Sequence, residues 1–570
     1  MAWFWRRSCF LGSALARSGA REWPLVAPTP VVAALAGTLC AAGYAALAGF
    51  NVPAQRALWM LVVISAALAF GRNVGRTLVL AWAAALVVLV DPWGVVTAGF
   101  WLSFGAVAVI SFGLQGHLRG RSCDMVDIDA ASDPFSENAT GTDAPRRSWR
   151  RLLQSRLAAA REQLAGALRA QYAVTIGLAP LTAFWFSQIP LAGPFANALA
   201  IPWVSFMITP VVLVGVALPE PLDAAVFELA HALLEPLMGI LRVLSAQSWA
   251  VWRIARPSAW ALVCAMIGVA WCLMPRGWPL RFAAPFAWLP LALPPPAGPA
   301  PDTFRLTALD VGQGSAIVIE TARHALLFDA GPGPESTHAG ERIVAPYLYA
   351  NGVPELDMLV VSHADADHAG GASAVLDAVG VRQLIGGLPP EHVLWERARA
   401  VGADTVRCAA GQRWRWDGVD FAMLWPPPGP LPAKSNARSC VLKVEAEGLT
   451  ALLTGDIDAA SELRLQGAAL DGPGAADMLA ADVLVVAHHG SKTSSTESFL
   501  DSVRPRFAVF QVGYRNRFGH PHPGVWSRFA ARGVELARTD RDGAVRIQPD
   551  KGALTLERYR DMYRRYWMDG

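Results

Sequence analysis

His363, Asp365, Asp367 and His368 fall within six positions of "SHADADHAGG" (362–371), directly behind the apolar run "MLVV". Imidazole and carboxylate are the ligands of borderline and hard divalent ions, and a mixed nitrogen and oxygen set suits zinc or manganese rather than a soft ion. In an HxDxDH turn alternate side chains can face one ion while the adjacent Asp–His pair faces a second, and a later aspartate can bridge the two. Two close metals polarise a phosphoryl oxygen and lower the pKa of a water molecule, which is hydrolytic chemistry. Further donors follow other apolar runs: Asp329 after "LLF", Asp456 in "LLTGD", and His488 and His489 after "VLVVA". A single histidine at such a place is usually a hydrogen-bonded surface or core residue. Here five of the eleven histidines, or six with His522, lie in three compact motifs, and that conjunction favours a metal site.

These residues need a rigid frame, and the sequence supplies one. The short runs "FRLTALD", "AIVIE", "HALLFD", "DMLVVS", "CVLKVEA", "ALLTGD", "DVLVVA" and "FAVFQV" are strand-like, with helical stretches such as "GGASAVLDAV" between some of them. They predict a soluble α/β domain over 303–570 with its polar clusters on loops at strand ends, where a sheet holds ligands in fixed directions.

The rest of the chain has another texture. Of 570 residues 53% are hydrophobic and the mean hydropathy is +0.32, outside the usual soluble range, while the net charge of +3 says little about partners. Apolar stretches at 29–50, 57–71, 77–90, 95–115, 172–190, 193–217 and 258–274 predict about seven membrane crossings within residues 1–288. Arginines concentrate in residues 1–28, in the 72–76 turn and in the 116–171 loop, which makes those segments cytoplasmic and places everything after 275 outside the cytoplasm. Within that loop, 146–171 reads as an interfacial amphipathic helix or a plain solvated one. Arg56 and Asp91 read as span-boundary residues. Residues 289–302 read as a proline-rich linker, and the seven cysteines, which lack CxxC spacing, predict no disulfide framework.

Taken in order, "LDVGQGSAIVIET", "LLFDAGP", "SHADADHAGG", "LLTGDID", "VAHHGSKTSS" and "NRFGHPHP" resemble the metallo-β-lactamase-like domain of the ComEC competence-protein family. "GFNVPAQRALWM", "DPWGVVTAGFWLSFGAVAVI" and "ANALAIPWVSFMITPVVLVGVAL" resemble that family's channel region. The resemblance implies a polytopic α-helical membrane domain followed by a metallo-β-lactamase-like αββα sandwich. It also implies a bacterial inner-membrane protein that passes one strand of transforming DNA inward while its extracytoplasmic lactamase-like domain degrades the other. The family carries segments before the region matched here, so the chain is expected to be an N-terminally shortened member.

Carried onto this chain, the family pattern puts His363 and Asp365 on a first ion, Asp367, His368 and His488 on a second, and Asp456 between them, with His489 the weaker of its pair. Asp365 stands where most of the superfamily has histidine, and His392 is the one histidine between the first motif and Asp456. One firm site and one weak, substrate-completed site are therefore expected, for one or two Zn²⁺ or Mn²⁺ ions. Asp367, Lys492 and His520 are the candidate catalytic residues: Lys492 to neutralise a phosphate, His520 as leaving-group acid, phosphate contact or extra ligand. Asp310 is expected to orient a metal histidine. Expected partners are double-stranded DNA at entry, a single strand in transit, the lipid bilayer, a second copy in a homodimer, and a separate ATP-driven DNA translocase, since no GxxxxGK[ST] loop occurs in these residues. Two other readings stay open: a membrane-anchored phosphodiesterase without transport, and a DNA channel with an inactive lactamase-like domain.

Overall fold

A computed structural model describes residues 29–50, 52–70, 75–118, 144–274, 278–293, 298–470, 478–550 and 553–564. The chain divides between Pro294 and Pro295 into two compact units.

The first unit is helical because its sequence offers long apolar runs rich in Ala, Leu and Val and almost free of charge. Helices Thr29–Leu47, Val52–Ala69, Arg76–Val90 and Ala98–Leu118 follow one another with short connections. Thr38 and Ser65 hydroxyls bond across the first pair at 2.7 Å. Small residues let helices approach closely: a Cβ on Gly177 would lie 2.4 Å from Val109. The expected amphipathic helix and the expected span after it are one 43-residue helix, Ala144–Phe186, and none of its described side chains between 154 and 170 is buried.

Two helices, Gly193–Ala217 and Leu222–Ser245, are long and apolar enough to cross a membrane, and five shorter apolar helices accompany them. Leu222–Ser245 is absent from the spans read in the sequence because Asp223, Glu228, His231, Glu235 and Arg242 interrupt its apolar run. Large apolar side chains face outward across the unit, among them Leu39, Phe70, Leu89 and Val243 at 67–81% exposure. Arg56, near the start of helix Val52–Ala69, is 5% exposed and packs beside Gly99, with Asp91 as its electrostatic partner.

The end of this unit doubles back. Strands β1 (Gln188–Pro190) and β2 (Val251–Arg253) pair antiparallel, so the chain ends at one side of the helices after each excursion. Helix Ala259–Cys272, 14 residues and about 21 Å long, leaves that side. The 3₁₀ segment Arg281–Trp288 and the helical turn Leu289–Ala292 return over about 22 Å, with Ala284 and Trp288 against Gly268. Leu291 is fully buried beside Ile189, Ile254 and Ala183, at the β1–β2 end. The expected linker therefore starts later than residue 289, because burial of Leu291 holds the first four of its residues in the fold.

The second unit is an αββα sandwich. One sheet has the order β17 (Ala553–Arg558), β16 (Val545–Asp550), β3 (Arg305–Ala308), β4 (Ile317–Glu320), β5 (Ala325–Phe328), β6 (Glu355–Val361), β7 (Gly380–Gly386) and β8 (Asp404–Arg407). The other has β15 (Glu535–Arg538), β14 (Phe507–Phe510), β13 (Val483–Val485), β12 (Leu449–Leu453), β11 (Val441–Ala446), β10 (Val419–Trp425) and β9 (Arg413–Trp416). Strand alternation sorts the side chains. Leu326, Phe328, Met358 and Val360 face Phe421, Leu442, Leu453 and Val485 between the sheets. Leu327, Leu359 and Val361 turn outward under helices Ala345–Ala350, Ala372–Ala378 and Val393–Ala400. Leu452, Leu484 and Ala508 do the same under Glu497–Val503 and Pro523–Ala531. With both faces covered, these strands read as unbroken apolar runs.

Two of the cross-links between the sheets bear on the sequence reading. Asp417, in the β9–β10 turn, accepts hydrogen bonds from the Thr321 hydroxyl at 2.7 Å and the Arg323 N–H at 2.8 Å and pairs with His324 Nδ1 at 3.0 Å, in the β4–β5 turn. Burial opposes its charge, yet His324, Thr321 and Arg323 overturn that and hold the carboxyl well below the usual range. This contribution is complete above the unfolded value of about 3.9 and is lost as pH falls through the folded value. Asp417→Ala orphans these donors, a cost of about 2–4 kcal/mol, and amide hydrogen exchange in the 321–324 turn at pH 7 should accelerate by roughly 30-fold or more.

The second cross-link corrects the cysteine reading. Cys408, after β8, and Cys440, before β11, form a disulfide. Their spacing of 32 carries no signal; sheet topology brings the two strand ends together.

Candidate metal centre

The cluster forms where β5, β6, β12 and β13 end on one edge of the sandwich. After β6, Ser362 and His363 are fully buried, and the chain turns into the short helix Ala366–Ala369, which carries Asp367 and His368 inward. The paired glycines that follow allow close packing, since a Cβ on Gly371 would lie 2.1 Å from the Ala330 carbonyl and one on Gly370 2.3 Å from the Ala366 carbonyl. After β12, Gly455 adopts φ +53° with Ser439 and Ser362 too near for any side chain, and this turn delivers Asp456. After β13, His488 and His489 both take left-handed backbone, φ 52° and 54°, at a cost of about 1–2 kcal/mol each. Such strain gathers at functional sites because it aims side chains that relaxed backbone cannot.

Two imidazoles, His368 and His489, point their Nε2 atoms at each other, and the ring of His363 lies 4.3 Å from that of His368. His368 Nδ1 lies 2.7 Å from Asp329 Oδ2, and His489 Nδ1 lies 2.8 Å from the Gln511 carbonyl. A carboxylate and a carbonyl only accept, so both Nδ1 atoms donate, and each ring in its neutral form turns an Nε2 lone pair to a cation. The Ser362 hydroxyl donates to Asp329 at 2.8 Å and so accepts from His363 Nδ1 at 3.0 Å, which leaves a third Nε2 lone pair. His368 Nε2 lies 3.2 Å from His489 Nε2 and 3.1 Å from Asp456 Oδ1, while His489 Nε2 is 3.4 Å from Asp367 Oδ2. His363 Nε2 is buried without a hydrogen-bond partner. Lone pairs and carboxylates facing each other across about 3 Å call for a cation between them.

The electrostatics show the same demand for positive charge: burial disfavours the imidazolium of His368, but the Asp456 and Asp329 carboxylates favour it and raise its pKa well above the usual value, so a proton on Nε2 and a divalent ion compete for one place. Burial also disfavours ionisation of Asp367, and the His489 hydrogen bond with the His368 charge overturns it, to about 2. Two sets meet metal-ligand spacing: His363, His368 and Asp456, and Asp367, His368 and His489. This donor set of imidazole and carboxylate fits a divalent ion, as the lactamase-type fold implies.

Several expected positions move. His489, ranked below His488 in the sequence, occupies the interior, because the left-handed backbone turns it toward Gln511. His488 sits at the rim, 3.8 Å from Asp456 Oδ2, its ring held by Thr493 at 3.2 Å and Asn436 at 3.5 Å. Asp365 is half exposed, 3.5 Å from His363 Nε2, and is anchored by the Ser435 hydroxyl at 2.6 Å. Asp310 orients no histidine: it pairs with Arg560 at 3.2 Å, and Asp329 holds the orienting place. His392 caps helix Val393–Ala400 by accepting from the Leu394 N–H, away from the cluster. Lys492 is exposed in the turn after His489. His520 lies at the rim, its ring 6.0 Å from His488 and 6.5 Å from His489, with a pKa lowered to about 4 by burial and then by the two neighbouring histidines.

Ser439 had no sequence signal, yet its hydroxyl lies 3.4 Å from His363 Nδ1 and accepts from the Asp456 N–H at 3.0 Å. Ser435, Asn436 and Gln511 were equally silent, being ordinary polar residues far along the chain from what they touch.

Residues 8–279 match the family described as competence protein, and residues 309–513 match the metallo-beta-lactamase superfamily. Competence protein ComA of Neisseria gonorrhoeae is 35% identical over 542 residues, covering 93% of this chain and 67% of its own length. Recombination protein 2 of Haemophilus influenzae is 27% identical, covering 92% and 64%. Among solved structures, the metallo-beta-lactamase fold protein YhfI of Bacillus subtilis covers 45% of this chain and 99% of its own at 12% identity and a TM-score of 0.28. Zn(2+)-bound PqqB of Methylobacterium extorquens covers 43% and 99% at 12% identity and 0.29. The chain thus spans about two thirds of the length of the curated relatives it matches. With the competence match over the helical unit and the lactamase match over the αββα unit in one polypeptide, the chain belongs to the ComEC competence-protein family.

Proposed function

We propose that this chain serves DNA uptake in natural transformation. Its helical unit is a multi-pass inner-membrane domain that passes one strand, and its αββα unit is a metal-dependent phosphodiesterase that degrades the other. The observation that carries the hydrolase reading is the pair of overlapping ligand sets that share His368, one with His363 and Asp456 and one with Asp367 and His489.

A divalent ion held by His363, His368, Asp367, Asp456 and His489, either Zn²⁺ or Mn²⁺, would supply Lewis-acid polarisation of a phosphoryl oxygen and lower the pKa of water. The chain's own groups do the rest. Asp329, Ser362 and Gln511 fix the histidine tautomers. Lys492 neutralises the charge gathering on the phosphate. His520, neutral at pH 7, donates a hydrogen bond to a phosphate oxygen instead of transferring a full proton.

The returning segment supports an extracytoplasmic αββα unit. If the arginine-bearing 144–171 region is cytoplasmic, helix Ala144–Phe186 carries the chain outward to β1. The pairing of β1 with β2 is consistent with an even excursion by the two helices between them, and Leu291 packs at that same end, which supports an αββα unit outside the cytoplasm. The Cys408–Cys440 disulfide supports that reading, since such bonds persist in oxidising compartments. In spheroplasts, a membrane-impermeant maleimide should add two labels to the αββα unit only after reduction. Labelling of both cysteines that requires membrane permeabilisation would place the unit inside.

The hydrolase reading is tested on the purified full chain in detergent by metal content per polypeptide and by cleavage of labelled DNA with Mn²⁺, Zn²⁺ or chelator. Metal-dependent cleavage supports it; bound metal without cleavage of any phosphodiester overturns it.

A further inference from the structure

We propose that the 513–520 loop is a base and phosphate clamp that presents an unpaired DNA strand to the metal cluster; the proposal rests on the hydrolase reading above. The loop reads "GYRNRFGH". Tyr514 is 72% and Phe518 53% exposed, on a unit whose other large aromatics mostly lie in its cores. Each ring is paired with an arginine: the Arg515 guanidinium lies 5.2 Å from the Tyr514 centroid and that of Arg517 4.9 Å from the Phe518 centroid. Neither guanidinium has an acidic partner among the described residues, so both charges are available to an anion.

Single exposed aromatics are ordinary surface features. What distinguishes these is that their loop is built to hold still. The Gly513 N–H donates to Gln313 Oε1 at 3.2 Å. The Asn516 side chain donates to the Gly513 carbonyl at 3.1 Å and the His520 carbonyl at 2.7 Å, and accepts from the His520 N–H at 2.9 Å. An exposed ring on an anchored loop loses little freedom when a ligand stacks on it.

The second distinguishing feature is place. Phe518 stacks on His520 at 5.7 Å and 23°, and His520 faces His489 at 6.5 Å, so a line of rings runs from solvent to the cluster. Immediately before the loop, Gln511 supplies the carbonyl that orients His489, so any shift of the clamp's root is felt at the metal-facing imidazole.

Two exposed aromatic rings interleaved with two guanidinium groups that lack acidic partners among the described residues match a single nucleic-acid strand, whose bases stack without regard to sequence and whose phosphates need countercharge. A duplex keeps its base faces covered, so the clamp selects single-stranded or frayed ends. A base held on Phe518 leaves the neighbouring phosphodiester on the cluster side of the loop, near His520.

The test uses the full chain in detergent with a single-stranded oligodeoxynucleotide carrying 5-iododeoxyuridine, whose photo-adducts form with stacked aromatics and are located by mass spectrometry. Adducts on Tyr514 or Phe518 are expected. Tyr514→Ala with Phe518→Ala should raise KM for single-strand cleavage on the order of 10- to 100-fold and leave an oligonucleotide with abasic sites near the cut unaffected. Arg515→Gln with Arg517→Gln should lower the salt slope of binding by about 1.4. Adducts confined to other residues, with an unchanged KM in the aromatic variant, overturn the clamp while leaving the hydrolase standing. Adducts on the loop in a chain that cleaves no DNA would keep the clamp and remove the hydrolase.

Discussion

An Asp456→Ala chain is expected to hold no divalent metal and to lose DNA cleavage by about 10³-fold or more, the several kcal/mol that metal polarisation contributes to a phosphoryl transition state. Asp456 is the residue every part of the cluster meets: its Oδ1 lies 3.1 Å from His368 and 3.8 Å from His489, and its Oδ2 3.8 Å from His488. It is buried, and its carboxyl is held well below the usual range because the charges of His368 and His489 outweigh the cost of burial. The neighbouring histidines make the prediction discriminating. His489→Ala should behave like Asp456→Ala, since its Nε2 faces both Asp367 and His368. His488→Ala should keep most of the metal and lose at most about 10-fold in rate, because its ring serves the rim through Thr493 and Asn436. Metal per chain by mass spectrometry and single-turnover cleavage check both; the reverse order of the two histidines would contradict the geometry described here.

Asp329→Ala is expected to cost about 3–5 kcal/mol of stability in the αββα unit and Asp329→Asn to weaken metal binding by about 10- to 100-fold. Asp329 is fully buried and accepts three hydrogen bonds, from the Ser362 N–H at 2.7 Å, the Ser362 hydroxyl at 2.8 Å and His368 Nδ1 at 2.7 Å. Alanine leaves all three donors orphaned in a site closed to water. Asparagine retains the size and tolerates the φ of 58° found there, and it removes the charge together with one of the two accepting oxygens. Without that charge the His368 tautomer is no longer fixed and its Nε2 is a poorer ligand. Chelator competition reads the affinity and urea-dependent proteolysis of the 298–550 region reads the stability. Unchanged affinity in Asp329→Asn would show that His368 is oriented by packing alone.

How legible these residues were in the sequence depended on whether a local signal existed. "SHADADHAGG" could be read because its donors are near neighbours behind an apolar strand, and because its two glycines mark a backbone that packs too closely for side chains. The eight apolar runs could be read as strands because helices cover both sheets, leaving no polar alternation to confuse them with surface. Asp329 and Asp310 could not be told apart: both follow strands, and only the fold shows that one reaches His368 while the other meets Arg560, 250 residues on. Leu222–Ser245 was passed over for the opposite reason, since charged side chains along a helix hide its length from a count of apolar residues.

By itself the sequence determined the division into an apolar helical half and a strand-rich half, the identity of the metal-binding residue types, and the strand ends on which they stand, because these rest on composition, period and short-range spacing. Tertiary structure alone decided which of His488 and His489 enters the cluster, which aspartate orients His368, which cysteines meet, and at which end the chain leaves the helices. Each of those choices depends on backbone hand or on contacts between segments far apart in the chain, where no local preference acts.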